Sequence, residues 1–316
     1  TCNRRNSLKR KREFRFMTRN NQKWYDKPVT KLILITIAVT WMFPIFGFLL
    51  SSFRPGESIK RTSWWDAIYT GTIWSELSFD NYVEVFRAEN LDRSFYNSLA
   101  VTIPSTIIPI TIAAFAAYAF SFMEFKGKDV LFLFVVGSMI IPLQMSLIPL
   151  VQLFKDGIEI AGIPIIPALD LNGTFVATWF AHTGFGLPLA TFLLRDFMMG
   201  LPKSVIESAK IDGASHFTTF FRLVLPLSVA GIAAFGTFQF LWVYNDFLVA
   251  NVFLGIYKPE NLVVTSHMSQ IVVGRFGEAW HLRTSGAIIS IIVPLAVFFG
   301  LQRFFIRGLI GGAVKG

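Results

Sequence analysis

Few of the 316 residues stand in an arrangement that a covalent reaction would need. His182, His216, His267 and His281 are scattered without metal-ligand spacing, and His182 and His281 read as markers of water-facing helix ends. The single cysteine, Cys2, excludes an intramolecular disulfide and a cysteine-built metal site. No G-x-x-x-x-G-K-[ST] loop is present to cradle nucleotide phosphates, and neither H-E-x-x-H nor G-x-S-x-G occurs. One carboxylate stands in an apolar setting: Asp246, in "FLWVYNDFLVANVF", with Asn245 beside it and Trp242 and Tyr244 just before. A charge at membrane depth is costly and is by default a functional candidate. Its plainer alternative is an Asp near enough to the outer interface to be wet. An ion-driven carrier would need Asp246 to titrate, normally with further such groups and an internal repeat. No convincing repeat is found, so uphill transport would draw its energy from another subunit.

The elements that must position these residues are membrane helices. The chain is 53% hydrophobic and 16% aromatic, with mean hydropathy +0.54. Six apolar stretches, near 32–53, 98–122, 130–154, 174–194, 223–250 and 285–306, are each long enough to cross about 30 Å as a helix. They are continuous rather than alternating, which argues against a barrel. The expected fold is an all-α membrane protein of six transmembrane helices, with one six-helix bundle over residues 32–316 and a basic arm over 1–31. The arm reads as a cytoplasmic flank rather than a nucleic-acid arm, and no small-residue cleavage site follows the first apolar run, so that run is expected to stay as an uncleaved anchor. Met17 opens "MTRNNQKWYDKP", so residues 1–16 are expected to be an upstream extension or an artefact. Most of the 29 Lys/Arg fall on the N-terminal side of the membrane, which places both termini in the cytoplasm.

The loop over 54–96 is then external, with Trp64, Trp65, Tyr69 and Trp74 as interfacial anchors and "SFDNYVEVF" as a short amphipathic helix. The loop over 155–174 is expected to be external and irregular, being punctuated by Pro and Gly. Ala113, Ala117 and Ser121, like Ala230 and Ala234, lie four apart and should let helices approach closely.

Between the fourth and fifth stretches lies "SVIESAKIDGASHFTTFFRLVLPLS" (204–228). A helix starts there either at Pro202, which the first turn tolerates, or at a Ser204-x-x-Glu207 capping box. Ile206, Ala209 and Gly213 share a face, and Asp212-Gly213 should end the helix with Gly in the left-handed conformation. A second short helix over 214–221 leads to Leu225-Pro226 at the next span. The product is a helix–turn–helix elbow over 201–222 with a small-residue surface at Ala209, Gly213 and Ala214. An amphipathic connector lying on lipid is the alternative, but its apolar face is small and broken.

This segment resembles the EAA motif of the membrane subunits of ATP-binding-cassette importers, through Glu207, Ala209, Asp212, Gly213, Ala214, Leu225 and Pro226. Ser208, Val224 and Ala230 depart mildly from the usual form. "FDNYVEVF", "FYNSLAV", "AAYAFSFMEFKGKD", "WVYNDFLVA" and the tail "LQRFFIRGLIGGAVKG" are similar to the maltose-type, sugar-importing branch. The resemblance implies a permease of the bacterial inner membrane that binds no cofactor itself. Its implied partners are a second homologous permease, two ATPase subunits carrying ATP and Mg, an external solute-binding protein, a sugar, and membrane lipid; no nucleic acid is involved. Glu207, Ser208, Ala209, Asp212, Gly213 and Ala214 would couple to the ATPase. Gln144, Trp242, Tyr244, Asn245 and Asp246 are the residues expected along the solute path, amides, carboxylate and aromatic faces being suited to sugars.

Overall fold

The computed structural model describes residues 28–313, apart from 89, 256 and 274–278. The basic arm up to residue 27 therefore lies outside the described residues. The chain divides into two compact units, one ending at Asn81 and one beginning at Tyr82.

In the first unit, helix α1 (Pro28–Ser52) runs for 25 residues with its apolar side chains almost all exposed, as a lipid-facing span would be. The expected external loop is helical: α2 (Gly56–Arg61), α3 (Trp64–Tyr69) and α4 (Ile73–Glu76) follow directly. Ser63 caps α3 by accepting from the Asp66 N–H. Trp65, Tyr69 and Trp74 are exposed, as anchors should be. Trp64 is not; its ring packs on α1 against Phe43 and Phe46, with centroids 4.8 and 6.0 Å away. Arg54 is buried beneath these short helices and bonds Glu76 and Thr62.

The second unit opens with α5 (Asp80–Val83, continued by a π-turn over Glu84–Ala88), which spans the boundary, and is organised around α6 (Leu91–Phe122). Against α6 pack α9 (Phe175–Met199) and α13 (Val229–Tyr244), and α13 also packs on α16 (Trp280–Ala313). The expected small-residue contacts hold at Ala113 and Ala117, both fully buried in a core with Ala190, Leu194 and Met198 of α9. Ala230 and Ala234 are only half-buried. The closer approach on α13 is at Gly231, where a Cβ would lie 2.6 Å from the Phe197 ring.

Three of the six expected spans are unbroken helices of sufficient length and hydropathy: α1, α6 and the 280–304 part of α16. The third is instead a bent pair, α7 (Lys128–Gly137, extended by a 3-10 turn to Ile140) and α8 (Leu143–Asp156), at 104°. Pro142 explains the break, because it lacks an N–H and drives Ile141 into extended backbone (ψ 118°). The fifth is bent by 69° at Ser228, between the short α12 (Leu225–Leu227) and α13, and its helix stops at Tyr244, short of residue 250. Pro226 cannot donate to the Arg222 carbonyl, and the chain before it relaxes into a π-turn (Phe220–Val224). The fourth, α9, is long enough at 25 residues but more polar, burying Thr178, His182, Thr183 and Thr191.

The stretch expected to be irregular at 155–174 contains a hairpin, β1 (Ile158–Ile160) paired antiparallel with β2 (Ile163–Ile166). Ala161 and Gly162, both at positive φ, form its two-residue turn, and alternating isoleucines supply the strands. After α13 the chain forms α14 (Leu248–Ala250), a π-turn (Asn251–Gly255) and α15 (Val264–Val273). The start of α6 clamps this segment. Asn97 Nδ2 donates to the Glu260 and Leu262 carbonyls, each at 3.1 Å. Ser98 Oγ accepts from Val264 N at 2.8 Å, and Ser94 Oγ lies 2.6 Å from His267 Nδ1. Asn97→Ala leaves buried carbonyls unmatched and is expected to loosen the clamp by about 1–3 kcal/mol. Hydrogen exchange should quicken across 257–266, and unchanged protection there would contradict the clamp.

Candidate functional site

Two groups of residues have the character of a functional site, and they lie at α9 and α13. The first is the elbow. α10 (Lys203–Ile211) begins after Pro202, which is its N-cap at φ −59° and ψ 112°. Ser204 sits inside the first turn, so the capping box is not used. Ile206 and Ala209 turn inward, 4% and 8% exposed, and Ile206 joins the core with Phe220 and Val224. Ala209 is thus a packing residue, not part of a free surface.

The end of α10 is as expected. Gly213 is left-handed at φ +76°; its N–H donates to the Lys210 carbonyl at 3.1 Å, and the Ala214 N–H donates to the Ala209 carbonyl at 2.9 Å. This bond pair is a Schellman closure, which requires a residue tolerant of positive φ. Ser215 then caps α11 (His216–Thr219) by accepting from the Thr218 N–H at 3.2 Å. The outward face carries Glu207, Ser208, Lys210, Asp212 and Gly213, with Ala214 half-buried. It also carries Ile211, 86% exposed, and Phe217, 71% exposed. Neither was singled out by sequence. Their signal was an apolar residue off the Ile206/Ala209 face of a polar segment.

The second group surrounds Asp246, just beyond α13. Its Oδ2 accepts from the Ala250 N–H at 2.9 Å, capping α14, and its carbonyl accepts from Thr265 Oγ1 at 2.6 Å. The same Oδ2 lies 3.8 Å from His182 Nε2 on α9. His182 is fully buried, not at a water-facing end, and the Trp242 ring meets it edge-on at 6.0 Å and 81°. One turn before Trp242, buried Gln239 donates to the Ser105 carbonyl of α6 at 3.3 Å. It packs over Gly186, where a Cβ would come 2.6 Å from its Nε2.

The expected path residues therefore separate. Trp242 and Asp246 converge with His182. Tyr244 is buried and stacks on Phe240 at 6.0 Å and 12°. Asn245 is exposed and returns its amide to the Leu241 carbonyl at 2.8 Å. Gln144 is exposed in the first turn of α8, and none of the contacts around Asp246 involves it among the described residues.

Residues 109–311, which hold the elbow and the Asp246 group, match the family model for the binding-protein-dependent transport system inner membrane component. The chain belongs to this family. It is accordingly a multi-pass inner-membrane permease subunit. It is 43% identical over 313 residues to the osmoprotective compounds uptake permease protein GgtD of Synechocystis sp., covering 99% of this chain and 97% of that one. It is 50% identical over 248 residues to the alpha-glucoside transport system permease protein AglG of Rhizobium meliloti, covering 78% of this chain and 63% of that relative. Its fold is that of a chain in the crystal structure of a bacterial ABC transporter involved in the import of alginate, with a TM-score of 0.67 at 16% identity, over 88% of this chain and 95% of that one.

Proposed function

We propose that this permease forms half of the translocation pathway of an ATP-driven importer for a sugar or glycoside. Its elbow docks on a cytoplasmic ATPase. The observation that carries the reading is the elbow itself: rigidly seated through Ile206 and closed at Gly213, it leaves Glu207, Ile211 and Phe217 facing outward. Apolar anchors rimmed by charge are what a protein partner buries. The sugar class rests on the relative named for alpha-glucoside transport.

In this reading a second homologous permease completes the pathway, and two ATPase subunits hold the ATP and Mg. Glu207 faces a basic residue of the ATPase groove. When ATP draws the ATPases together, the elbow moves with them. α9 and α13, which flank it, pass that motion to their far ends, where the Asp246 group lies. An external binding protein delivers solute there. This chain hydrolyses nothing.

The test is uptake of [14C]maltose or [14C]sucrose into proteoliposomes holding the purified complex with its binding protein. Uptake is expected to require ATP on the elbow side and to persist with proton and sodium ionophores. Uptake without ATP that ionophores abolish would replace this reading with an ion-coupled carrier using Asp246.

A further inference from the structure

α9 and α13 meet at buried polar atoms that packing leaves unmatched. Nδ1 and Nε2 of His182 and Oγ1 of Thr178 have no hydrogen-bond partner among the described residues. The His182 side chain is 1% exposed, and Asp246 stands near it without a bonding distance, at 3.8 Å. A buried polar group left unpaired costs about 1–3 kcal/mol, so an imidazole with two idle nitrogens is a poor choice for packing alone. Leu would fill an apolar helix contact better.

Two groups beside the His182 ring remain partly accessible. Trp242 is half-buried, and the Asp246 side chain keeps 12% exposure while its Oδ2 is held by the Ala250 N–H. A fixed carboxylate, an imidazole able to donate and accept, and an indole together match a sugar ring, with its hydroxyls at the edge and C–H groups on the face. The carboxylate disfavours an anion.

We propose that His182, Trp242 and Asp246 form a binding subsite for a hydroxylated neutral solute within this subunit, with His182 as its buried hydrogen-bonding floor. The proposal rests on the sugar-import reading and adds His182 and the joint geometry to it. The subsite holds the solute between release from the binding protein and passage inward. Losing it lets solute return outward, so fewer molecules are imported for each ATP hydrolysed.

The test uses the complete reconstituted importer with [14C]maltose and [14C]sucrose as probes. Two quantities are read for wild type, His182→Leu, His182→Gln and Asp246→Asn: solute imported per ATP, and the melting temperature of the complex. His182→Leu is expected to melt at or above wild type yet import about tenfold less per ATP, the loss of roughly one hydrogen bond. His182→Gln, which keeps a donor and an acceptor, should fall between the two, and Asp246→Asn should fall with Leu. An unchanged import ratio in His182→Leu, or a lower ratio accompanied by a lower melting temperature, overturns the subsite and leaves the sugar reading standing. If wild type imports neither probe with ATP, the sugar-import reading fails and the subsite with it.

Discussion

Gly213→Val is expected to reduce uptake by about tenfold or more while the chain reaches the membrane in normal amount. Gly213 holds φ +76°. A left-handed residue with a Cβ costs about 1–2 kcal/mol, more when β-branched, and each 1.36 kcal/mol is about a factor of ten. Relief comes by opening the bonds from Gly213 N to Lys210 O and from Ala214 N to Ala209 O, which set the angle between α10 and α11. Ile211 and Phe217 then no longer share one docking face. The bundle should survive, because the core at Ala113, Ala190 and Leu194 lies outside the turn. Among the described residues nothing lies within 4 Å of a Cβ at Gly213, so crowding by them is not the cause. Gly213→Asn separates the remaining terms, since Asn tolerates the left-handed region. Near-normal uptake in Asn with loss in Val assigns the effect to the turn, and equal loss in both adds close approach by a partner. Near-normal uptake in Val contradicts the coupling role.

Arg54→Ala should be the most damaging single change in the unit that ends at Asn81, destabilising it by about 3–5 kcal/mol. The guanidinium is buried, with its side chain 1% exposed. Nε donates to Glu76 at 2.6 Å, Nη1 to the Thr62 carbonyl at 3.1 Å, and Nη2 to Thr62 Oγ1 at 2.6 Å. One side chain thereby ties the ends of α2 and α4 to the end of α1. Its removal strands the Glu76 carboxylate and a carbonyl together. Arg54→Lys keeps the charge but not the planar fork and should recover only part of the loss. Limited proteolysis and hydrogen exchange across 56–76 read the effect, and wild-type protection in Arg54→Ala would show that the network contributes little.

The parts of the molecule legible in sequence are those whose cause is local. Long apolar runs gave α1, α6 and α16, and Asp212-Gly213 gave the elbow's turn, because composition and a single positive-φ residue suffice for each. The broken third and fifth spans were less legible. Pro142 and Pro226 were visible, but whether proline kinks a span slightly or turns it by 104° depends on the backbone beside it. The hairpin at 158–166 was hidden because Pro and Gly drew the reading toward an irregular loop, although its isoleucines alternate. Ala209 pointed inward because Ile206 sets the buried face of α10. His182 was missed for a deeper reason: its neighbours on and just beyond α13 are about sixty residues away, and a lone histidine carries no periodic signal.

The central claim, that this permease works within an ATP-driven complex, is tested most directly by purifying the chain from its native membrane in mild detergent. Mass spectrometry then identifies and counts what stays bound. The prediction is one copy of a second, homologous permease and two copies of a nucleotide-binding ATPase for each copy of this chain. Recovery of the chain alone, across several detergents and with nucleotide present, would contradict it.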